Sequence, residues 1–451
     1  MRFWIDQHGC AKNQVDGEEL AARLEASGHE YVESAEMADL IIVNTCGFIE
    51  SAKKESLGAV MDLKAAWPDK KVLVAGCLSQ RYPEELAAGL SEADGIFGNA
   101  DLSLATAAAV ATITGEHPVL APPQPSGVTE TRAFERVRLF DFPGTAHVKI
   151  TEGCSNNCTY CAIPLIRGEL RSRRIEDIAE ECRVLIRRGI KELVLIGQDL
   201  GAFGSDLAGR TGTELPELLE ALSALDGDFR VRVLYIHPDH FPERILEVML
   251  RDPRILPYFD LPFQHASGTL LHTMNRRGND AIYLDLIRRI RSALPDAMIR
   301  STFLVGFPGE TDDDFAVLRR FQEDAQLDWL GVFTYSREEG TVAYDMKHRV
   351  AKKLANARKN EIETAQTPIT EARLARFVGR EIRVLVEEKV EGEELALGRA
   401  WMQAPDVDGL VVLRGSHAPG DLVPARVLAV RGVDLDAVPT DEASRPGKVR
   451  A

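Results

Sequence analysis

No run of apolar residues in this chain is long enough to cross a bilayer, and no basic-then-apolar leader opens it. Positive charge is scarce: 54 Lys and Arg stand against 70 Asp and Glu, giving a net charge of −16 and a sequence pI near 5.2. A surface of that sign argues against gripping nucleic acid over a large area and suits a basic protein partner. Cysteine is sparse as well. There are seven, an odd number, and six of them stand beside glycines in turns or within one short segment. That usage fits a reducing cytoplasm in which thiols serve as ligands. The rest is ordinary for a globular chain, with 45% hydrophobic and 27% charged residues over 451 positions, enough for two or three domains.

The densest chemistry is Cys154-Ser155-Asn156-Asn157-Cys158-Thr159-Tyr160-Cys161, three cysteines separated by three residues and then two. Thiolates so close can hold three corners of one iron–sulfur cube and leave the fourth iron open to a substrate. Structural zinc wants four closed ligands, and no fourth Cys or His follows at finger-like spacing. Three cysteines cannot pair among themselves as disulfides. Cys182 shares a helical face with Ile175, Ile178 and Leu185 and reads as core. The string Cys-x3-Cys-x-aromatic-Cys, with Tyr160 in the aromatic place, resembles the signature of the radical S-adenosylmethionine enzymes. The resemblance implies that Cys154, Cys158 and Cys161 hold a 4Fe–4S cluster whose open iron binds S-adenosylmethionine and splits it reductively.

Ahead of that segment, short apolar runs at 2–6, 40–45 and 71–75 alternate with helical patterns at 16–26, 49–64 and 83–90. This alternation predicts a doubly wound parallel α/β domain over residues 1–112. A cysteine follows each of the three strands: Cys10, Cys46 and Cys77. In a parallel sheet those positions share the edge where ligands collect. They could be three small buried apolar residues, but their common placement predicts a second three-cysteine cluster. This half resembles the N-terminal domain of the methylthiotransferases, which implies an auxiliary 4Fe–4S cluster on Cys10, Cys46 and Cys77.

Proline-rich residues 113–139 read as a linker. Six strand–helix units then fill 140–376, with strands near 147–151, 192–197, 229–236, 258–263, 299–305 and 329–335. Six units are too few for a closed eight-stranded barrel, and they fit the partial (βα)6 barrel of the radical enzymes. Its mouth would carry the cluster loop, His237 and His265. The resemblance implies that Tyr160, Gln198, Gly306 and Gly309 contact S-adenosylmethionine, with Gln198 and Asp199 at the methionine amino group and the Gly306–Gly309 segment along the adenosine. The basic run Arg167, Arg171, Arg173 is either a solvated loop or a site for an anionic substrate, to which Arg171 and Arg173 are assigned.

From residue 377 the pattern changes to short strands punctuated by glycines, predicting a small antiparallel β-barrel over 377–440 and a disordered tail at 441–451. The barrel resembles the TRAM domain, often an RNA-binding module. Residues 377–435 nevertheless hold seven Lys/Arg against ten Asp/Glu, with Glu387, Glu388, Glu391, Glu393 and Glu394 clustered. That charge favours a basic protein over RNA, with Glu387 and Glu388 as contact residues.

The strings Gly9-Cys10-Ala11-Lys12-Asn13, Asn44-Thr45-Cys46-Gly47-Phe48-Ile49 and Gly76-Cys77-Leu78-Ser79-Gln80-Arg81 are similar to those of the bacterial RimO family. The tRNA-modifying branch typically reads Gly-Cys-Gln-Met-Asn and Asn-Thr-Cys-Ser-Val-Arg. The resemblance implies methylthiolation of the β-carbon of an aspartate in small-subunit ribosomal protein twelve. Two S-adenosylmethionine molecules are implied, one methylating a sulfur on the auxiliary cluster and one yielding the 5′-deoxyadenosyl radical, with a low-potential electron donor. A tRNA methylthiotransferase, and a non-catalytic two-cluster electron carrier or scaffold, are the alternative readings.

Overall fold

The computed structural model describes residues 1–125, 135–207 and 212–440. No helix among them is long and apolar enough to cross a membrane. The N-terminal sheet has six strands, all parallel, in the order Glu30–Tyr31, Arg2–Gln7, Leu40–Thr45, Lys71–Gly76, Gly95–Phe97, Val119–Leu120. Leu40–Thr45 is buried throughout, as a central parallel strand covered on both faces must be. Its alternate side chains divide between two cores: Leu40 and Ile42 pack with Leu20 and Ala108, and Ile41 and Val43 with Val60 and Leu86.

Three strands of this sheet exceed the sequence reading. Glu30–Tyr31, Gly95–Phe97 and Val119–Leu120 are too short to show a period of two. The last of them, with helix Ala105–Thr114, carries the domain beyond 112 into the stretch read as linker. Part of that linker, residues 126–134, lies outside the described residues, as does the tail at 441–451.

The central strands are Thr145–Lys149, Glu192–Ile196, Arg230–Val233, Tyr258–Asp260, Met298–Val305 and Trp329–Thr334, parallel and in chain order in two groups of three. The groups meet where Val231 N donates to Arg254 O at 2.7 Å and Leu256 N to Val231 O at 2.9 Å. Among the described residues the first and last strands do not pair, so the barrel is open on that side. Leu193, Leu195, Val231, Phe259 and Phe303 face the surrounding helices, while Val194, Ile196, Tyr258 and Met298 face the lumen.

The C-terminal barrel is closed by five strands, Glu381–Lys389, Leu395–Arg399, Val411–Arg414, Asp434–Pro439 and Leu422–Arg431. It is not purely antiparallel, because Val411–Arg414 and Asp434–Pro439 run parallel. A segment after its second strand plugs the lower end of the central barrel. Trp329 Nε1 donates to Met402 O at 2.7 Å and Tyr258 OH to Asp408 at 2.6 Å. Glu192, fully buried, accepts from Arg230 Nε at 2.8 Å, Arg232 Nε at 2.7 Å and Arg399 Nη1 at 3.2 Å. These contacts fall at the strands' first residues, the end opposite the mouth.

Candidate active site between two cysteine sets

Strands Arg2–Gln7, Leu40–Thr45 and Lys71–Gly76 lie side by side, so the turns after them are neighbours. Cys10 caps helix Ala11–Ala26, Cys46 follows its strand directly, and Cys77 opens the short helix Cys77–Arg81. Two glycines let these turns nest. A Cβ on Gly9, whose φ is +89°, would stand 2.9 Å from Cys46 Cβ, and one on Gly47 would stand 2.8 Å from the Cys77 carbonyl. Asn13 ties the turns together, donating to His8 O at 2.8 Å and Thr45 O at 3.2 Å while its Oδ1 faces Cys77 Sγ at 3.6 Å.

Burial pushes the Cys77 thiol up to about 12 and raises Cys46. Burial also opposes ionisation of Cys10, but the charges of Lys12 and Arg167 outweigh it and bring that thiol below its ordinary value. Cys10 is exposed.

The second set sits on a loop beyond strand Thr145–Lys149. Cys154 N donates to Gly168 O at 3.0 Å, Thr159 N to Met274 O at 3.1 Å and Asn156 Nδ2 to Asp199 at 2.8 Å. Burial drives Cys154 up to about 11 and Cys161 up to about 12. Within each set the thiols lie close enough to feel one another's charge. Among the described residues no three His, Cys, Asp or Glu are gathered as a single ion requires. Ligands of a cube belong on separate corners, and each three-thiol donor set fits a cluster with one open iron. Raised thiols must lose protons on loading, so iron uptake is favoured by alkaline pH.

The two sets meet across a buried quartet. Arg167 donates to Cys77 Sγ at 3.2 Å, Asp16 at 2.8 Å and Glu152 at 2.8 Å, and Lys149 pairs with the same two carboxylates. Arg167, read from sequence as part of a basic run, is therefore the bridge between domains. Lys12 crosses the same junction, its Nζ donating to Gly197 O at 2.8 Å and lying 4.5 Å from the centre of the Tyr235 ring.

Gln198 lies two residues past strand Glu192–Ile196, with a buried Nε2 that has no partner. Asp199 beside it is saturated by Asn156, His240 Nδ1 at 2.7 Å, Gly201 N at 2.9 Å and His237 N at 3.0 Å. It orders the mouth and has no lone pair to spare for an amino group. A cavity of about 510 Å³ is lined by Cys154, Asn156, Asp199, His237, His240 and Arg276. Arg276 touches Tyr160 OH at 3.3 Å and keeps a buried Nε without a partner. That Nε is an unfilled donor for an anion such as the carboxylate of S-adenosylmethionine. Sequence reasoning missed Arg276, since nothing local marks it.

The Gly306–Glu310 segment reaches the site through Phe307, edge-on to Tyr160 at 6.4 Å. The Cβ position of Gly306 is covered by Ala355 at 2.5 Å, and Glu310 accepts from the amides of Gly306 and Phe307, so Gly306 is explained by helix packing, whereas Gly309 is open. Burial holds His237 down to about 3 and His265 down to about 4, both neutral near pH 7.

Two assigned substrate contacts do not face the site. Arg171 is buried against Gln124 and the carbonyls of Pro125 and Arg167, and Arg173 pairs with Glu181 at 2.6 Å. Glu387 pairs with Arg399, while Glu388 is exposed. The Arg171 and Arg173 bonds engage one edge of each guanidinium within the protein, while Arg171 Nε and Arg173 Nε and Nη2 are buried without a partner.

Residues 2–98 match Uncharacterized protein family UPF0004, residues 148–321 the radical SAM superfamily and residues 378–439 the TRAM domain. Among solved structures the fold is similar to that of TsrM, a radical S-adenosylmethionine methyltransferase from Kitasatospora setae, at TM-score 0.55 and 16% identity over 76% of each chain. The central domain thus belongs to the radical S-adenosylmethionine superfamily, which implies a 4Fe–4S cluster and S-adenosylmethionine as cofactors. It is 47% identical to the ribosomal protein uS12 methylthiotransferase RimO of Treponema denticola, over 96% of this chain and 100% of that one. It is 42% identical to the protein so named in Thermotoga maritima, over 94% and 96%. The chain belongs to the RimO family of methylthiotransferases.

Proposed function

We propose that this enzyme transfers a methylthio group to the β-carbon of an aspartate in ribosomal protein uS12, in the cytoplasm, with a low-potential partner as electron source. The observation that carries the reading is the meeting of two three-cysteine sets across one buried junction. Cys154, Cys158 and Cys161 would hold the radical cluster, and Cys10, Cys46 and Cys77 an auxiliary one. Gln198, Arg276 and Tyr160 would bind and orient S-adenosylmethionine. When bound, these groups supply the 5′-deoxyadenosyl radical and the activated sulfur. The protein's own work is to bring the acceptor carbon between them and exclude water from the junction, which the Asp16–Lys149–Glu152–Arg167 quartet seals without net charge.

Incubation of iron-loaded, reduced enzyme with S-adenosylmethionine, purified uS12 and tRNA is expected to add one methylthio group to a uS12 aspartate, read by mass spectrometry. Modification of tRNA with none on uS12 would transfer the assignment to the tRNA branch.

Docking is assigned to the exposed glutamates of the C-terminal barrel, Glu388, Glu391, Glu393 and Glu394. Complementary fields steer association with a basic protein, and salt screens them. Reversal of all four to lysine should weaken uS12 binding about 10-fold at low salt and little at high salt, since exposed pairs contribute modestly. Equal salt dependence in both proteins would remove these residues from the interface.

A further inference from the structure

We propose that Lys12 selects the acceptor, its ammonium holding the aspartate carboxylate between the two cysteine sets. This rests on the reading above that the acceptor is an aspartate side chain.

Lys12 is 5% exposed, and an ammonium has three hydrogens to donate. One goes to Gly197 O at 2.8 Å, and the Tyr235 ring covers another side at 4.5 Å. Among the described residues Lys12 forms no ion pair. The nearby carboxylates, Asp16 and Glu152, already hold Arg167 and Lys149. With no carboxylate bonded to it, Lys12 keeps a donor hydrogen free for an acidic acceptor beside the Cys10 set.

Its location fixes what that acceptor must be near. Lys12 stands two positions after Cys10, and its Nζ reaches Gly197 O just past strand Glu192–Ile196, in the domain that carries Cys154, Cys158 and Cys161. The acceptor β-carbon has to be reached from both sets, and in aspartate it is bonded directly to the carboxylate carbon. An ammonium at the junction that grips the carboxylate therefore places the β-carbon there too. The junction is built under strain, for Tyr235 is held at a φ of +63°, where a bulky residue stays only if its surroundings force it. Of the other cations, Arg167 and Lys149 are paired within the quartet, and Arg276 is bonded to Pro262 O and Tyr160 OH.

The test compares binding of purified uS12 and of its Asp→Asn form at the modified position to the full iron-loaded chain, in wild type, Lys12→Met, Lys12→Gln and Lys12→Arg. Wild type should favour the Asp form by about 10- to 100-fold, the range of a charge-assisted hydrogen bond. Lys12→Met and Lys12→Gln should bring both forms within about two-fold, and Lys12→Arg should restore part of the preference. Thermal melting shows which variants are folded, and either neutral variant suffices. An undiminished preference for the Asp form in a folded neutral variant overturns the proposal. So does an equal loss for both forms, which would mean that Lys12 only braces the Gly197 contact. If wild type neither binds nor modifies uS12, the acceptor reading fails first and this inference with it.

Discussion

Replacement of Cys10, Cys46 and Cys77 together by alanine is expected to halve the iron of the reconstituted protein, from about eight atoms to about four. Cleavage of S-adenosylmethionine should continue and methylthio transfer should stop. The reason is architectural. The two sets belong to different domains, share no ligand, and are ordered by separate contacts, Asn13 and Gly9 for one and the Gly168, Met274 and Asp199 contacts for the other. Alanine at Cys154, Cys158 and Cys161 should likewise leave about four irons but abolish cleavage as well. Iron analysis and detection of 5′-deoxyadenosine decide the matter together. Full iron in the N-terminal triple variant would eliminate the second cluster.

The largest effect on stability is expected at Glu192→Gln. Burial opposes the charge of this carboxylate, yet Arg230, Arg232 and Arg399 outweigh it and hold it well below the usual carboxylate range. Removing the charge leaves three guanidiniums buried against one another, a loss of about 3–5 kcal/mol for breaking a buried ionic group. Because the folded value is depressed, this contribution is present above the ordinary carboxylate value of 4.5 and is lost only as pH falls toward the folded value. The gap in unfolding midpoint between wild type and variant should therefore be steady at neutral pH and shrink only in acid. Identical midpoints at pH 7 would show that the network contributes nothing net.

What was legible in the chain depended on how local its cause is. Cys154 to Cys161 announce themselves because three cysteines stand within eight positions of one loop. Cys10, Cys46 and Cys77 could be joined because each follows a strand, and parallel topology does the rest. The short strands Gly95–Phe97 and Val119–Leu120 have too few residues for a period. Asp434–Pro439 lies inside the predicted barrel, but its parallel pairing with Val411–Arg414 is a long-range event that no local pattern shows. Arg171 and Arg173 looked like a basic patch because sequence does not show that Gln124 and Glu181 are waiting for them. Lys12 was visible only as a neighbour of Cys10. Its importance comes from Gly197, 185 positions away.

The plug formed by residues after Arg399 has a bearing on the shape of any partner. It fixes the C-terminal barrel beneath the lumen, while both cysteine sets lie above it, and Met298–Val305 alone spans eight residues between the two levels. At about 3.3 Å per residue that strand is about 26 Å long, a rise of about 21 Å at the usual barrel tilt of about 36°. The barrel thus acts as a yardstick. A short peptide around the acceptor aspartate could enter the mouth but not also reach the acidic hairpin, whereas a folded ribosomal protein could span both, so recognition by this enzyme should grow with the size of what it is offered.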